Sequence, residues 1–119
     1  MDIEEFEKIV DSAVASIPKK FKKAIDNVSV VVEDIPRAKI AKGQLLLGLY
    51  QGTPKTAWGR YSGMMIPDKI TIFKEPIEFL GRGDKRKIKE LIIDTVLHEI
   101  AHHFGISDRR LSEIRRNKS

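Results

Sequence analysis

Residues 98–108 read His98-Glu99-Ile100-Ala101-His102-His103-Phe104-Gly105-Ile106-Ser107-Asp108, a segment that holds all three histidines of the 119-residue chain. The hydrophobic pattern before this segment predicts a helix that begins after Asp84 and runs to about Phe104. On such a helix His98 and His102 lie one turn apart on one face, so the two imidazoles could bind one metal ion. The segment therefore indicates a metal site on a helix.

Two carboxylates complete this candidate site. Glu99 lies about 100° around the helix from His98, too far to share the ligand set but close enough to reach a water molecule on the metal. Glu99 is therefore the candidate general base. Gly105 can end the helix in a left-handed conformation and turn the chain back, which would bring Asp108 to the metal. The predicted metal ligands are thus His98, His102 and Asp108, and three protein ligands leave one position on zinc for water.

The alternative is that the histidines are ordinary core residues of a buried helix. Helical spacing argues against it, because the apolar residues cover an arc of roughly 120° to 300° from His98 and already form a core face. That face consists of Ile92, Ile93, Val96, Leu97, Ile100, Ala101 and Phe104. His98 and His102 fall outside the arc. His103 falls on the core side, so we expect it to be structural or to support a ligand.

The rest of the chain predicts two further helices and three strands. Apolar residues at three- and four-residue steps predict a helix over residues 2–17, and a short helix follows it from Pro18 to Ile25. Strands are expected at Val28–Val32, Leu45–Tyr50 and Lys69–Phe73.

Two details of the predicted strands bear on the site. Gly48 indicates a bulge or a close approach of another group to the backbone. Lys69–Phe73 alternates polar and apolar residues, which predicts a strand with one buried face, and such a strand can lie at the edge of the sheet. A substrate peptide could then add to this edge by main-chain hydrogen bonds.

Residues 51–67 contain the densest cluster of glycine and proline in the chain, so they predict a loop or ribbon. This segment carries Trp58, Arg60 and Tyr61. These side chains could line a cleft and stabilise an oxyanion, or they could cap the edge of the core. The sequence does not place them relative to the histidines, so they are not assigned to the site.

Length and composition indicate one folded domain over residues 1–119, with 41% hydrophobic and 33% charged residues. The sequence holds no apolar run of the roughly 18 residues that a membrane span needs, and its first residues are acidic, unlike a signal peptide. The chain has no cysteine, which excludes disulfides and thiolate ligands and fits a reducing compartment. We therefore expect a cytoplasmic protein without a membrane partner.

The net charge of +5 could favour acidic partners. The charge is divided between the ends of the chain, because residues 1–11 carry five acidic side chains and residues 109–119 carry five basic ones. Two oppositely charged terminal helices explain this pattern better than a nucleic-acid surface does, and no recognition motif for nucleic acid is present. Binding of nucleic acid is therefore the least favoured function.

The pattern His98-Glu99-x-x-His102-x-x-Gly105-x-x-Asp108 resembles the zincin metallopeptidase signature that ends in aspartate. Residues 47–54 and 66–73 are also similar to the small bacterial family of minimal zincin-like metallopeptidases, so the resemblance covers most of residues 28–108. It implies an α+β fold, in which helices and an active-site helix pack on a small mixed β-sheet whose edge strand borders the metal cleft. One departure is that Arg109 and Arg110 stand where acidic residues are expected.

The resemblance further implies that His98, His102 and Asp108 bind one zinc ion and that Glu99 is the catalytic carboxylate. The leading hypothesis is therefore a zinc-dependent peptidase acting on peptides or unstructured proteins, with Glu99 as general base. The alternative is a catalytically weak or inactive metal-binding domain that acts in protein interaction or regulation. The sequence leaves the oligomeric state open.

Overall fold

The computed structural model describes residues 1–26, 28–36, 45–52, 68–103, 109–110 and 113. Within these ranges the chain forms four α-helices, one turn of 3-10 helix at Lys19–Phe21 and three β-strands. The helices are α1 (Ile3–Ala15), α2 (Lys22–Asp26), α3 (Lys74–Gly81) and α4 (Lys85–His103). The strands are β1 (Val28–Glu33), β2 (Gly48–Gln51) and β3 (Asp68–Phe73). The predicted α+β class, with helices on a small mixed sheet, is confirmed.

The three strands form one sheet in the order β1–β3–β2. β1 is parallel to β3, and β2 is antiparallel to it. β3 is therefore the central strand of the described sheet, so Lys69–Phe73 is not the open edge that the hypothesis of peptide addition requires. The polar residue Thr71 suggested a solvent-facing side, but its side chain is only 1% exposed. Because β3 pairs on both sides, a substrate peptide cannot add to it.

The core lies between the sheet and the two long helices. Asp2 caps α1 just before its first residue, because its carboxylate accepts a hydrogen bond from the backbone N–H of Glu5 at 2.8 Å. α4 packs against α1 and the sheet with the predicted apolar face inward: Ile92, Ile93, Val96, Leu97, Ile100 and Ala101 are all buried. Phe104, the last member of the predicted face, lies outside the described residues. Because this face of α4 is buried, the opposite side of the helix faces solvent.

α4 begins where the sequence predicts. The Asp84 carboxylate accepts hydrogen bonds from the backbone N–H groups of Arg86 at 3.0 Å and Lys87 at 3.4 Å, which satisfies donors of the first turn. Just before Asp84, Arg82 adopts a left-handed conformation with φ of 50°. The chain can therefore turn sharply out of α3 and into α4.

α3, which follows β3 without a loop, was not predicted from the sequence. Pro76 lies in its first turn, where the missing N–H has no helical partner to lose. The helix buries Ile77 but leaves Phe79 72% exposed, so its eight residues give a weak periodic signal. Two predicted boundaries also shift, because α1 ends at Ala15 and β2 begins only at Gly48.

No helix in the described part of the chain is both long enough and apolar enough to cross a membrane.

Candidate functional site

His98 and His102 lie together on the exposed side of α4, as the helical spacing predicts. The centroids of their imidazole rings are 4.7 Å apart, and the ring planes are inclined by 57°. A tetrahedral zinc ion about 2.1 Å from one nitrogen of each ring would place the centroids about 5 Å apart. The observed pair therefore fits two ligand positions on one ion.

The remaining predicted groups are only partly covered by the structure. Asp108, the predicted third ligand, lies outside the described residues, as do Gly105, Trp58, Arg60 and Tyr61. Within the ranges that the structure describes, no three His, Cys, Asp or Glu side chains are grouped closely enough to hold a metal ion. His98 and His102 are thus candidate donors within the described residues, and the ligand set stays a prediction.

A second row of side chains runs along α4 beside the histidine pair and faces β2. Its members, Thr95, Glu99 and His103, are spaced by four residues and so share one side of the helix. Thr95 packs against Gly48, where an added Cβ would lie only 2.5 Å from the Thr95 Cγ2 atom. The close approach predicted at Gly48 is confirmed, and it brings β2 against the helix that carries Glu99.

Glu99 makes a hydrogen bond with the backbone of β2. Its Oε1 atom accepts from the backbone N–H of Tyr50 at 3.0 Å. The pairing of β2 with β3 explains why the Tyr50 N–H points to Glu99. The N–H of Phe73 donates to the carbonyl oxygen of Leu47 at 2.9 Å, so Leu47 and Phe73 form a hydrogen-bonded pair. Residue pairs across two antiparallel strands alternate between hydrogen-bonded and non-hydrogen-bonded pairs. Tyr50, three residues beyond Leu47, therefore belongs to a non-hydrogen-bonded pair and directs its N–H away from β3. Glu99 therefore lies at the outer edge of β2.

The Tyr50 side chain is held at both ends. Its hydroxyl donates to the Asp68 Oδ2 atom at 2.6 Å, and its ring stacks on His103 with centroids 4.1 Å apart and planes inclined by 18°. Burial raises the pKa of the Tyr50 phenol above its usual range, and the hydrogen bond to Asp68 and the negative charge of Asp68 raise it further. Tyr50 is therefore a neutral hydrogen-bond donor at physiological pH.

His103 differs from the prediction. The helical map places it on the core side of α4, but the side chain is exposed and covers the face of the Tyr50 ring. Ile100 and Ala101 of the same turn are buried in the core, whereas His103 lies on the side of this turn that meets Tyr50. His103 supports Tyr50, which in turn contacts Glu99.

Tyr50 and Asp68 are site neighbours that the sequence analysis did not identify. Both lie at strand ends, and their contact is a diagonal pair across β2 and β3, because Tyr50 is opposite Ile70. The available signal was a polar residue at the start of one strand and an aromatic residue near the end of the strand before it. Prediction of the contact also requires the register of β2 on β3, which the sequence does not give.

Comparisons with known proteins agree with this architecture. The family model for zincin-like metallopeptidases matches residues 25–117. Among solved structures, a conserved hypothetical protein from Thermo thermophilus is similar, with a TM-score of 0.59 and 24% sequence identity over 87% of this chain and 94% of that chain. Identity this low shows a shared fold only. No curated protein matches the chain significantly. With its family match covering most of its length, the chain belongs to the zincin-like metallopeptidase family.

Proposed function

We propose that the protein is a zinc-dependent metallopeptidase that hydrolyses peptide bonds in peptides or unstructured proteins, with Glu99 as general base. The observation that carries this proposal is the exposed pair His98 and His102 beside a carboxylate fixed to the edge of β2. A pair of imidazoles next to one oriented carboxylate is the arrangement that metal-assisted hydrolysis needs. Family membership supports the same class of reaction.

Zinc would be held by His98, His102 and Asp108, with one ion per chain. Two neutral imidazoles and one carboxylate around a divalent ion leave a net charge of about +1. When bound, zinc supplies a Lewis acid that polarises the scissile carbonyl and lowers the pKa of a water molecule. The exposed position of both imidazoles leaves room on the solvent side for substrate.

Glu99 would move the proton. With Oε1 held by the N–H of Tyr50, Oε2 is the atom that takes a proton from the attacking water and passes it to the leaving amide nitrogen. Such proton transfer contributes about 10²- to 10⁴-fold to the rate of a typical enzyme. The fixed Oε1 limits rotation of the carboxylate, so Oε2 needs no reorientation before the reaction.

The test combines metal analysis with cleavage of an unstructured protein. The protein is purified without a histidine tag, and its zinc content is measured by elemental analysis. We expect cleavage that a chelator abolishes and that Glu99→Gln lowers by at least about a hundredfold while zinc content stays unchanged. Glu90→Gln, the same change at an exposed position on α4, serves as the matched control and should keep full activity.

Each outcome of this test has a distinct meaning. A Glu99→Gln variant as active as the parent would contradict the role of Glu99. Zinc retained without any cleavage would favour the alternative function, a metal-binding domain in protein interaction or regulation. Absence of zinc from the parent, together with no uptake on addition of zinc, would contradict the metal site itself.

A further inference from the structure

We propose that Tyr50 is a positioning residue for Glu99: its backbone N–H fixes Oε1, and its anchored side chain keeps that N–H in place. The inference rests on the proposed role of Glu99 as general base. It concerns residues 49 positions apart in the chain, joined by one hydrogen bond of 3.0 Å. Tyr50 is not proposed to touch substrate, so its effect on catalysis would act through Glu99.

The N–H of Tyr50 lies near the end of a short strand and needs support to stay aligned with Glu99. β2 has four residues, and Tyr50 is the second to last of them. In the described sheet β2 pairs with β3 alone, and the N–H of Tyr50 points to the other side. Ends of short outer strands open easily, because few hydrogen bonds hold them. A donor at this place stays aligned with Glu99 only if something else fixes it.

The Tyr50 side chain provides this support. Its hydroxyl is bonded to Asp68, the first residue of the central strand β3, at 2.6 Å. A hydrogen bond to a carboxylate is among the stronger ones in proteins. Its ring stacks on His103, one turn after Glu99 on α4. The side chain thus ties the donor strand both to the centre of the sheet and to the helix that carries the acceptor.

Gly52 leaves space for the contact between Tyr50 and Asp68. A Cβ atom at Gly52 would lie 2.9 Å from the Tyr50 Cε1 atom and 3.0 Å from the Asp68 Oδ1 atom. Any side chain at position 52 would therefore press on the hydroxyl contact from one side. The close packing at Gly52 shows that the ring and Asp68 fill this corner of the structure. Gly52→Ala should loosen the anchor without changing either partner.

The first experiment measures amide hydrogen exchange by NMR and needs no enzymatic activity. In the parent the Tyr50 amide should be protected, and Glu99→Ala should speed its exchange at least about tenfold. The amide of Leu49, which the alternation of the pair directs to β3, is the internal control and should not change. A Tyr50 amide that exchanges at the same rate with and without Glu99 would overturn the proposal.

The second experiment separates the N–H from the side chain. Tyr50→Ala keeps the N–H and loses both anchors, whereas Tyr50→Pro also loses the N–H, at an outward position where an outer strand tolerates proline. Tyr50→Phe keeps the stacking and loses only the Asp68 contact. We expect kcat to fall least for Tyr50→Phe and most for Tyr50→Pro, by about tenfold or more, with KM within about twofold and zinc content unchanged.

Tyr50→Phe and Gly52→Ala also keep the experiment interpretable if proline prevents folding. Both should speed exchange of the Tyr50 amide. If instead KM rises and kcat stays constant in these variants, Tyr50 binds substrate and the positioning role is wrong. A parent without peptidase activity would contradict the proposed function alone, because the exchange experiment would still decide whether Tyr50 fixes Glu99.

Discussion

Two neighbouring rows of side chains on α4 have opposite surroundings. His98 and His102 face solvent and contact each other. Thr95, Glu99 and His103 face β2, and each of them meets a backbone or side-chain group of that strand. The helix thus carries a proposed binding row, His98 and His102, beside a docking row, Thr95, Glu99 and His103. The docking row contacts β2, while the proposed binding row faces solvent.

The largest expected effect comes from the binding row. His102→Ala should weaken zinc binding by at least about a hundredfold, more than the roughly 10- to 100-fold typical of residues that only support a ligand. Stability of the zinc-free protein should change by no more than about 0.5 kcal/mol, because the side chain is exposed. Competition with a chelator and urea unfolding would measure the two quantities. A large loss of stability without zinc would contradict the separation of the rows.

A smaller effect is expected where the docking row meets β2. Gly48→Ala would place a methyl group 2.5 Å from the Thr95 Cγ2 atom, so we expect destabilisation by about 1–3 kcal/mol. Thr95→Ser removes that methyl group and keeps the hydroxyl, which donates to the Leu91 carbonyl oxygen at 2.7 Å. The double variant should regain most of the lost stability in a double-mutant cycle. Additive losses would show that the two residues do not contact each other.

His103→Ala tests the docking row at the residue that follows His102 in the chain. Loss of the stacked imidazole should cost about 0.5–1.5 kcal/mol of stability, at the lower end because the ring is exposed. Zinc affinity should remain within about tenfold of the parent, in contrast to His102→Ala. Thermal unfolding and chelator competition on the two variants give the comparison directly. If His103→Ala lost zinc as completely as His102→Ala, His103 would belong to the ligand set.

The smallest expected effect is a shift in the titration of Tyr50. Because the folded-state pKa is raised, the contribution of this phenol to stability is present below about pH 10 and lost as pH rises further. Asp68→Asn removes the negative charge and alters the hydrogen bond, so the pKa of Tyr50 should fall while burial keeps it raised. Tyrosinate absorbance measured against pH would follow this change. The signal of Tyr50 is the difference between the parent and Tyr50→Phe. An unchanged titration would contradict the contact with Asp68.

The helix that carries the candidate site could be predicted because its signals are local. Spacings of three and four residues identify both the buried face of α4 and the exposed pair His98 and His102. The position of β3 could not be predicted in the same way. Alternation of Ile70, Thr71 and Ile72 is compatible with an edge or a central strand, and only pairing with distant segments decides between them. The sequence therefore predicted the strand and left its neighbours open.

The contact between Tyr50 and Glu99 could not be predicted from the sequence for the same reason. It depends on the register of β2 and on which edge of that strand faces α4, and both are set by tertiary packing. The close approach at Gly48 was predictable because a glycine within an apolar strand often marks a place where another group comes near the backbone. Its partner Thr95 was not, since its type and spacing are those of an ordinary helix residue. Single residues with unusual requirements were thus predictable, whereas pairs were not.

Gly48 has a further consequence for how the strand and helix come together during folding. If β2 slid by one residue along β3, Leu49 would meet Thr95, and the Tyr50 ring would turn to the opposite side of the sheet. A slide of two residues would place the Tyr50 ring itself, or the Leu46 side chain, beneath Thr95. The alignment that accommodates the helix is thus also the alignment that presents a donor to Glu99. In a misaligned chain, a side chain of β2 would clash with Thr95, so α4 could not pack on the sheet and a defective site would not form.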